Sequence, residues 1–248
     1  MERIVVDGNT RVLVLTGAGV SAESGIPTFR DANGLWENHP VEQVASPEGF
    51  AADPLLVWRF YSQRREGASR CRPNAGHEAL ARLEATLGDR FLLATQNVDG
   101  LHRDAGTERL VEMHGNLFMS RCAMCDYGPE VDRTVYPVGE VPGCAACQHR
   151  GEFGILRPHI VWFGEALDPA DLFRIETFMR HAAKGRFVFV AAGTSGVVYP
   201  AAGLVDRARS MGAETWLVNL EPPENVGAFE HFVRGRSGEM LPALFDVV

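Results

Sequence analysis

The chain has 248 residues, 46% hydrophobic and 23% charged, with a formal charge of −8 at pH 7. This is ordinary globular composition, enough for one large domain with a small insert. The acidic balance argues against a nucleic-acid surface, which needs a basic patch, but leaves room for a local basic pocket. No apolar run approaches a membrane span and Met1 to Asn9 carries no signal-peptide pattern, so neither membrane nor nucleic acid is expected as a partner. The cytoplasm is the expected compartment and a monomer the expected state.

Arg11 to Thr16 reads as a buried parallel strand that stops in Gly17-Ala18-Gly19. Glycines in that place let backbone N–H groups approach a pyrophosphate, and the next helix N-terminus favours the anion. Position 22 is Ala22, so the dinucleotide fingerprint is only partly stringent, and a bare glycine turn explains the same residues. Gly25 and Pro27 come too early for a structural helix. With Ile26, Thr28, Phe29 and Arg30 they suggest a mobile loop folded over a ligand, Arg30 meeting a phosphate or ribose. Asp31 to Gly49, with isolated aromatics such as Trp36, reads as ordered loop. Asp53-Pro54 starts a helix through Trp58, Phe60 and Tyr61 to about Glu66. Asn74 starts a second, with Leu80, Leu83 and Leu87 on one face and Gly88 as stop.

Phe91 to Thr95 is another buried strand, followed by Gln96-Asn97-Val98-Asp99-Gly100. A short strand from Leu110 delivers His114 at its end, ahead of Gly115. From Ser120 to Gly151 apolar periodicity fades and Gly, Pro and Cys accumulate, which marks an insert. Ile160 to Gly164 is strand-like, and Asp168-Pro169 starts a helix. Phe187 to Ala192 is a strand ending in Gly193-Thr194-Ser195. A helix from about Pro200 to Met211 stops at Gly212, and Thr215 to Leu220 is a last strand ending at Glu221-Pro222. Strands alternating with helices imply an α/β fold with a doubly wound parallel sheet. The polar residues gather at the carboxyl ends of four strands, near Gly17, Gln96, Gly193 and Asn219, where open α/β sheets bind ligands.

Cys122-x-x-Cys125 and Cys144-x-x-Cys147, eighteen residues apart, have zinc-site spacing. Four thiolates fill a tetrahedral shell, so the metal would be structural. A nucleic-acid-binding ribbon is the other reading, with Arg121, Arg133, His149 and Arg150 too few to carry it. His114 suits a general base near neutral pH; a structural histidine is the alternative, and His102 and His159 look structural. Asn97 and Asp99 can pair with a carboxamide and anchor a ribose or developing cation, or simply cap a turn. Tyr61 and Arg64 share a helix face at i, i+3. With Arg65 beside them they form either a solvated face or a clamp for a carboxylate.

Taken together, these residues resemble the sirtuins, NAD-dependent protein-lysine deacylases. The resemblance rests on Gly17-Ala18-Gly19-Val20-Ser21, Gly25 to Arg30, Thr95 to Asp99, His114-Gly115, the cysteine quartet, Gly193-Thr194-Ser195 and Asn219-Leu220-Glu221, in order over nearly the whole chain. It implies a single catalytic domain over residues 1–248. Within it are a Rossmann-like core, a small module with its zinc insert at about 120–151, and a helical cofactor-loop region at about 31–75. It implies NAD, consumed as co-substrate, and one structural zinc. Ala18, Phe29, Asn97 and Asp99 would line the nicotinamide pocket, with Ala22, Arg30, Trp36, Gln96 and Val98 also on the cofactor. Gly193, Thr194, Ser195, Asn219, Leu220 and Glu221 would hold the adenosine half, and Ser237 would reach the adenine. Val161, Trp162, Phe163 and Gly164 would supply the edge where an acyl-lysine peptide adds as a strand.

The implied reaction starts with attack of the acyl oxygen on C1′ of the nicotinamide ribose. His114 then activates a ribose hydroxyl, giving lysine, nicotinamide and O-acyl-ADP-ribose. Tyr61-Ser62-Gln63-Arg64 and the segment Leu156 to Glu165 are similar to the sirtuins that prefer succinyl, malonyl or glutaryl lysine, where Tyr and Arg clamp the distal carboxylate. Two enzyme readings compete, beside a noncatalytic zinc-containing binding module that leaves the polar residues at four strand ends unexplained. One is a protein mono-ADP-ribosyltransferase using the same pocket. The other is a hydride-transferring dehydrogenase, disfavoured because no second strand with an acidic residue follows about twenty positions after the glycines.

Overall fold

The computed structural model describes residues 2–27, 39–196 and 198–248, with the backbone alone of residues 35–36. Phe29 and Arg30 lie outside the described residues, as does the side chain of Trp36, so the ligand-covering loop expected there is described only as far as Pro27.

Thr10–Thr16 is the centre of a six-stranded parallel sheet. Phe91–Thr95 pairs on one side of it, with Leu110–Glu112 beyond. Arg186–Ala192 pairs on the other side, followed by Glu214–Asn219 and His231–Arg234. Its strands are apolar on both faces because helices cover both. Val12, Val14, Phe91 and Leu93 pack with Leu80, Leu83, Leu241 and Leu244 on one face. Leu13, Leu15, Leu92 and Phe189 pack with Ile175, Met179, Val205 and Ala208 on the other. This is the doubly wound sheet that the alternation of strands and helices implies. The chain runs outward from Thr10–Thr16 through two strands and then returns to its opposite side. The order of strands therefore reverses between Thr10–Thr16 and Arg186–Ala192, which puts a ligand crevice at their carboxyl ends.

The helix starts fall where their chemistry places them. Asp53, Asn74 and Asp168 cap Pro54–Ser69, Ala75–Leu87 and Pro169–Ala182 with their side chains. Five elements depart from expectation. Asp31 to Gly49 is not all loop: Val41–Val44 and Pro47–Ala52 are short helices, the second capped by the Ser46 hydroxyl. His231–Arg234 and the helix Ser237–Leu244, which contains Pro242, have no counterpart in the sequence reading. The strand expected over Ile160 to Gly164 lies four residues earlier, at Leu156–Ile160.

That strand belongs to a second, three-stranded antiparallel sheet with Gly115–Cys122 and Glu130–Val131. The small module's sheet thus begins at Gly115, ahead of the insert expected at about 120–151. Helix Pro54–Ser69 packs on it through Trp58, Phe60 and Tyr61, meeting Leu117, Phe118, Ile160 and Trp162. Arg65 is no solvated residue. It is fully buried and donates to the carbonyls of Leu117 (2.7 Å) and Thr134 (2.9 Å), to the Ser120 hydroxyl (2.9 Å) and to Asp132 (3.0 Å). One guanidinium thereby ties the helix to the module, with the Asp132 carboxyl held below its usual range by the Ser120 hydroxyl and Arg65. Among the described residues no helix is long and apolar enough to cross a membrane.

Candidate functional site

At the reversal of strand order, backbone bonds tie neighbouring strand ends together. Gly17 N–H donates to Ala192 (3.0 Å), Gly19 N–H to Gly193 (2.8 Å), Gln96 N–H to Thr16 (2.9 Å) and Gly193 N–H to Val218 (3.0 Å). The glycines permit this closeness. A Cβ on Gly19 would lie 2.7 Å from Gly193 Cα, and one on Gly17 would lie 2.8 Å from Gly193 O. Gly193 itself has φ +60. Asn219 Nδ2 donates to Thr194 O (3.0 Å), and Gln96 Nε2 to the Thr194 hydroxyl (3.0 Å). The four polar strand ends singled out in the sequence are therefore one continuous surface. Leu220 and Glu221 sit exposed at its rim, where Glu221 pairs with Arg234 at 2.6 Å. Ser237 is buried at the start of its helix, and the next residue, Gly238, donates to Glu23 at 2.9 Å. Ala18 opens the short helix Ala18–Ala22 beneath this surface, Ala22 is exposed at its end, and Ser195 follows Thr194 on the rim.

Asn97 and Asp99 are both buried. The Asn97 carboxamide donates to Gly17 O and to the Ser21 hydroxyl, each at 3.1 Å, so its oxygen is the polar atom left for a ligand. Asp99 accepts the Leu101 N–H at 2.9 Å across Gly100, whose φ is +77. Burial raises the Asp99 carboxyl above the usual carboxylate range, opposed by that bond and by the Ser21 hydroxyl. Val98 turns the other way, into the cluster of the small module.

Behind this pair stand His102, which the sequence marks as structural, and His77, which sequence reasoning missed. His77, three residues after the helix cap Asn74, accepts the Asn74 N–H at Nδ1 (3.2 Å) and meets the Ser21 hydroxyl from Nε2 (3.3 Å). His102 meets the Thr16 hydroxyl from Nε2 at 2.9 Å, and Thr16 donates on to Thr95 at 2.8 Å. Their rings lie 4.7 Å apart. Burial lowers both pKa values, His77 to about 4, so both are neutral supports rather than acids. The placement of His77 on the capping turn was the available signal.

His114 sits at the junction between the two sheets, after Leu110–Glu112 and before Gly115–Cys122. Its Nδ1 is 3.0 Å from Gln96 O. A carbonyl only accepts, so Nδ1 carries the proton and Nε2 is the basic nitrogen. Burial lowers the His114 pKa, partly opposed by the Gln96 bond. Gly115 must be glycine, since its φ is +82 and a Cβ would lie 2.1 Å from His159 O. The His114 carbonyl accepts the Val161 N–H at 2.9 Å, which joins His114 to the segment after the edge strand.

In that segment Phe163 and Gly164 are exposed, and Phe163 N–H donates to Ala45 O at 3.0 Å. Trp162 is buried, and its indole N–H donates to the Tyr61 hydroxyl at 2.9 Å. Burial pushes Tyr61 up to about 12, so it stays a donor. Arg64 lies one turn further along, its guanidinium 5.7 Å from the Phe60 ring centre, with its charge felt at both Tyr61 and Asp99. Arg64 thus links the helix face that carries Tyr61 to the strand end that carries Asp99.

The four cysteine sulfurs lie within 4.8 Å of one another, with 3.6 to 3.8 Å between nearest pairs. Zn–S bonds of about 2.3 Å give a tetrahedral edge of about 3.8 Å, so the quartet fits one zinc. Gly154 allows this, because a Cβ there would meet Cys147 Sγ at 2.4 Å. The site stands at the far end of Gly115–Cys122 from His114, which suits a scaffold rather than a reactant.

A profile of the Sir2 family matches residues 17–200. The chain is 48% identical over 236 residues to a Pasteurella multocida protein named NAD-dependent protein deacylase, covering 94% of this chain and 95% of that one. A protein of the same name from Caulobacter vibrioides is 47% identical, with 95% of each chain covered. Among solved structures, a Sir2 homologue in complex with NAD has a TM-score of 0.82 at 37% identity, covering 94% of this chain and 87% of that one. A Sir2 structure with a deacetylated peptide and an acetyl ADP-ribose has a TM-score of 0.74 at 28% identity, covering 93% and 90%.

Proposed function

The chain belongs to the Sir2 family, and on that premise we propose that it is an NAD-dependent protein-lysine deacylase that prefers acyl groups ending in a carboxylate. Bound NAD would supply the electrophilic ribose carbon and the nicotinamide leaving group. Gly17, Ala18, Gly193, Thr194, Ser195 and Asn219 would carry its phosphates and adenosine along the strand ends. Asn97 and Asp99 would hold the nicotinamide end, Asn97 through its remaining oxygen. His114 Nε2 would take the proton of a ribose hydroxyl, with Nδ1–H fixed on Gln96 throughout. The acyl-lysine peptide would lie along Val161, Trp162, Phe163 and Gly164, adding a strand beside Leu156–Ile160.

One observation supports the acidic preference above others: a fully buried tyrosine whose oxygen already accepts Trp162 N–H, with an arginine one turn along. The hydroxyl proton of Tyr61 is what it can offer a ligand, and Arg64 supplies a charge. Together they suit a carboxylate and offer nothing to the methyl of an acetyl group. A charge-assisted bond of about 1.5–3 kcal/mol corresponds to roughly ten- to a hundred-fold in kcat/KM. Transfer of ADP-ribose to protein is the less favoured reading.

The test is a panel of acetyl-, succinyl-, malonyl- and glutaryl-lysine peptides incubated with NAD, scored for nicotinamide and O-acyl-ADP-ribose. The reading expects the acidic acyl groups to be removed with higher kcat/KM than acetyl. Equal values would remove the preference, and protein labelling by NAD without deacylation would replace the reaction.

A further inference from the structure

Resting on the proposed acidic preference, we infer that Arg157 is a positioning residue for it, setting the Tyr61 hydroxyl through Trp162. Arg157 lies on the edge strand Leu156–Ile160 and is buried. Its guanidinium carbon is 3.5 Å from the centre of the Trp162 ring, closer than any other cation–ring contact among the described residues. Both terminal nitrogens bind Glu165, at 2.6 and 2.8 Å, and one also donates to Ile160 O at 2.9 Å. Glu165 closes the arrangement by accepting the Trp162 backbone N–H at 2.8 Å.

The consequence is a clamped indole. Trp162 is held at its backbone by Glu165 and at its face by Arg157, and it also packs against Phe50, whose ring centre is 5.3 Å away. Its N–H points towards Tyr61 Oη. That oxygen has two lone pairs and one proton. Fixing one acceptor direction restricts where the proton can go, and so where a ligand carboxylate can be met. A cation stacked on the indole also polarises its N–H and strengthens the bond to Tyr61. The charges felt at Tyr61 are those of Arg64, Arg157 and Glu165, the same groups that build the brace and the clamp. Lysine could not reproduce this, since stacking and the two-pronged bond to Glu165 both need a planar guanidinium.

The experiment measures kcat and KM on succinyl- and acetyl-lysine peptides of one sequence at saturating NAD. It compares the parent with Arg157→Gln, Arg157→Lys, Glu165→Gln, Tyr61→Phe and the double Arg157→Gln, Tyr61→Phe, each checked for zinc content and melting. Arg157→Gln and Tyr61→Phe should each lower the succinyl-to-acetyl ratio about tenfold, through KM for the succinyl peptide, and the double should lower it no further than either alone. Glu165→Gln should move the ratio the same way, which keeps the test open if Arg157→Gln does not fold, and Arg157→Lys should not restore it. Multiplying effects in the double, or equal loss on both peptides, would overturn the inference. A ratio moved by Tyr61→Phe but not by Arg157→Gln or Glu165→Gln would remove only the brace. A ratio unmoved by Tyr61→Phe would overturn the acidic preference and the brace together.

Discussion

The Nδ1 atom of His114 lies 3.0 Å from the carbonyl oxygen of Gln96, and this bond leaves Nε2 as the nitrogen free for the proposed role of base. Nε2 must be unprotonated to accept a ribose proton, and burial holds the His114 pKa below its ordinary 6.5. The acidic limb of kcat/KM should therefore have its midpoint below pH 6.5. A pH–rate profile checks it, and a midpoint above 6.5 would remove this role. His114→Ala should lower kcat by about 10²–10⁴ while leaving the melting temperature near that of the parent.

His77 makes the fold itself sensitive to acid. Its pKa falls from 6.5 in the unfolded chain to about 4 in the fold, so between those values the unfolded chain binds more protons. The stability that goes with a neutral His77 is complete above pH 6.5 and is lost as the pH falls towards 4, on the order of 3 kcal/mol at most. Melting temperatures of the parent and His77→Asn should converge on acidification across that window. Parallel curves would mean that His77 is not buried neutral.

Arg64 and Arg65 are neighbours with opposite duties. Arg65→Met takes the ion-pair partner from Asp132 and the donor from three backbone carbonyls, and removing one partner of a buried pair costs about 3–5 kcal/mol. Arg64→Met should cost under about 1 kcal/mol. Thermal unfolding of the two variants separates them, and similar melting temperatures would contradict the staple.

Zinc belongs to the fold rather than to the reaction. Purified protein should hold one zinc per chain, and Cys144→Ser should lose it along with much of its stability, because a closed four-thiolate site contributes folding energy. Metal analysis with melting curves reads this out. Full stability without metal would contradict it.

Much of this was legible in the sequence, for physical reasons. Thr10–Thr16, Phe91–Thr95 and Arg186–Ala192 are covered on both faces, so burial writes unbroken apolar runs. The cysteines were legible because metal spacing is set by the shell itself. The edge strand Leu156–Ile160 was displaced because Arg157 and His159 are polar and Pro158 interrupts a strand pattern, whereas Val161 and Trp162 are apolar for packing outside any strand. His231–Arg234 is an edge strand of four residues, too short to show a pattern, and Pro242 hid the last helix. Arg65 could not be told from Arg64, since nothing local announces which of two adjacent charges will be buried by a module arriving fifty residues later.

The most direct measurement is the ratio of kcat/KM for succinyl- and acetyl-lysine peptides before and after the paired change Tyr61→Phe, Arg64→Met. A fall of roughly ten- to a hundred-fold in that ratio, carried by the succinyl peptide, is what a carboxylate held by these two residues requires. A ratio left unchanged, with both activities reduced alike, would contradict it.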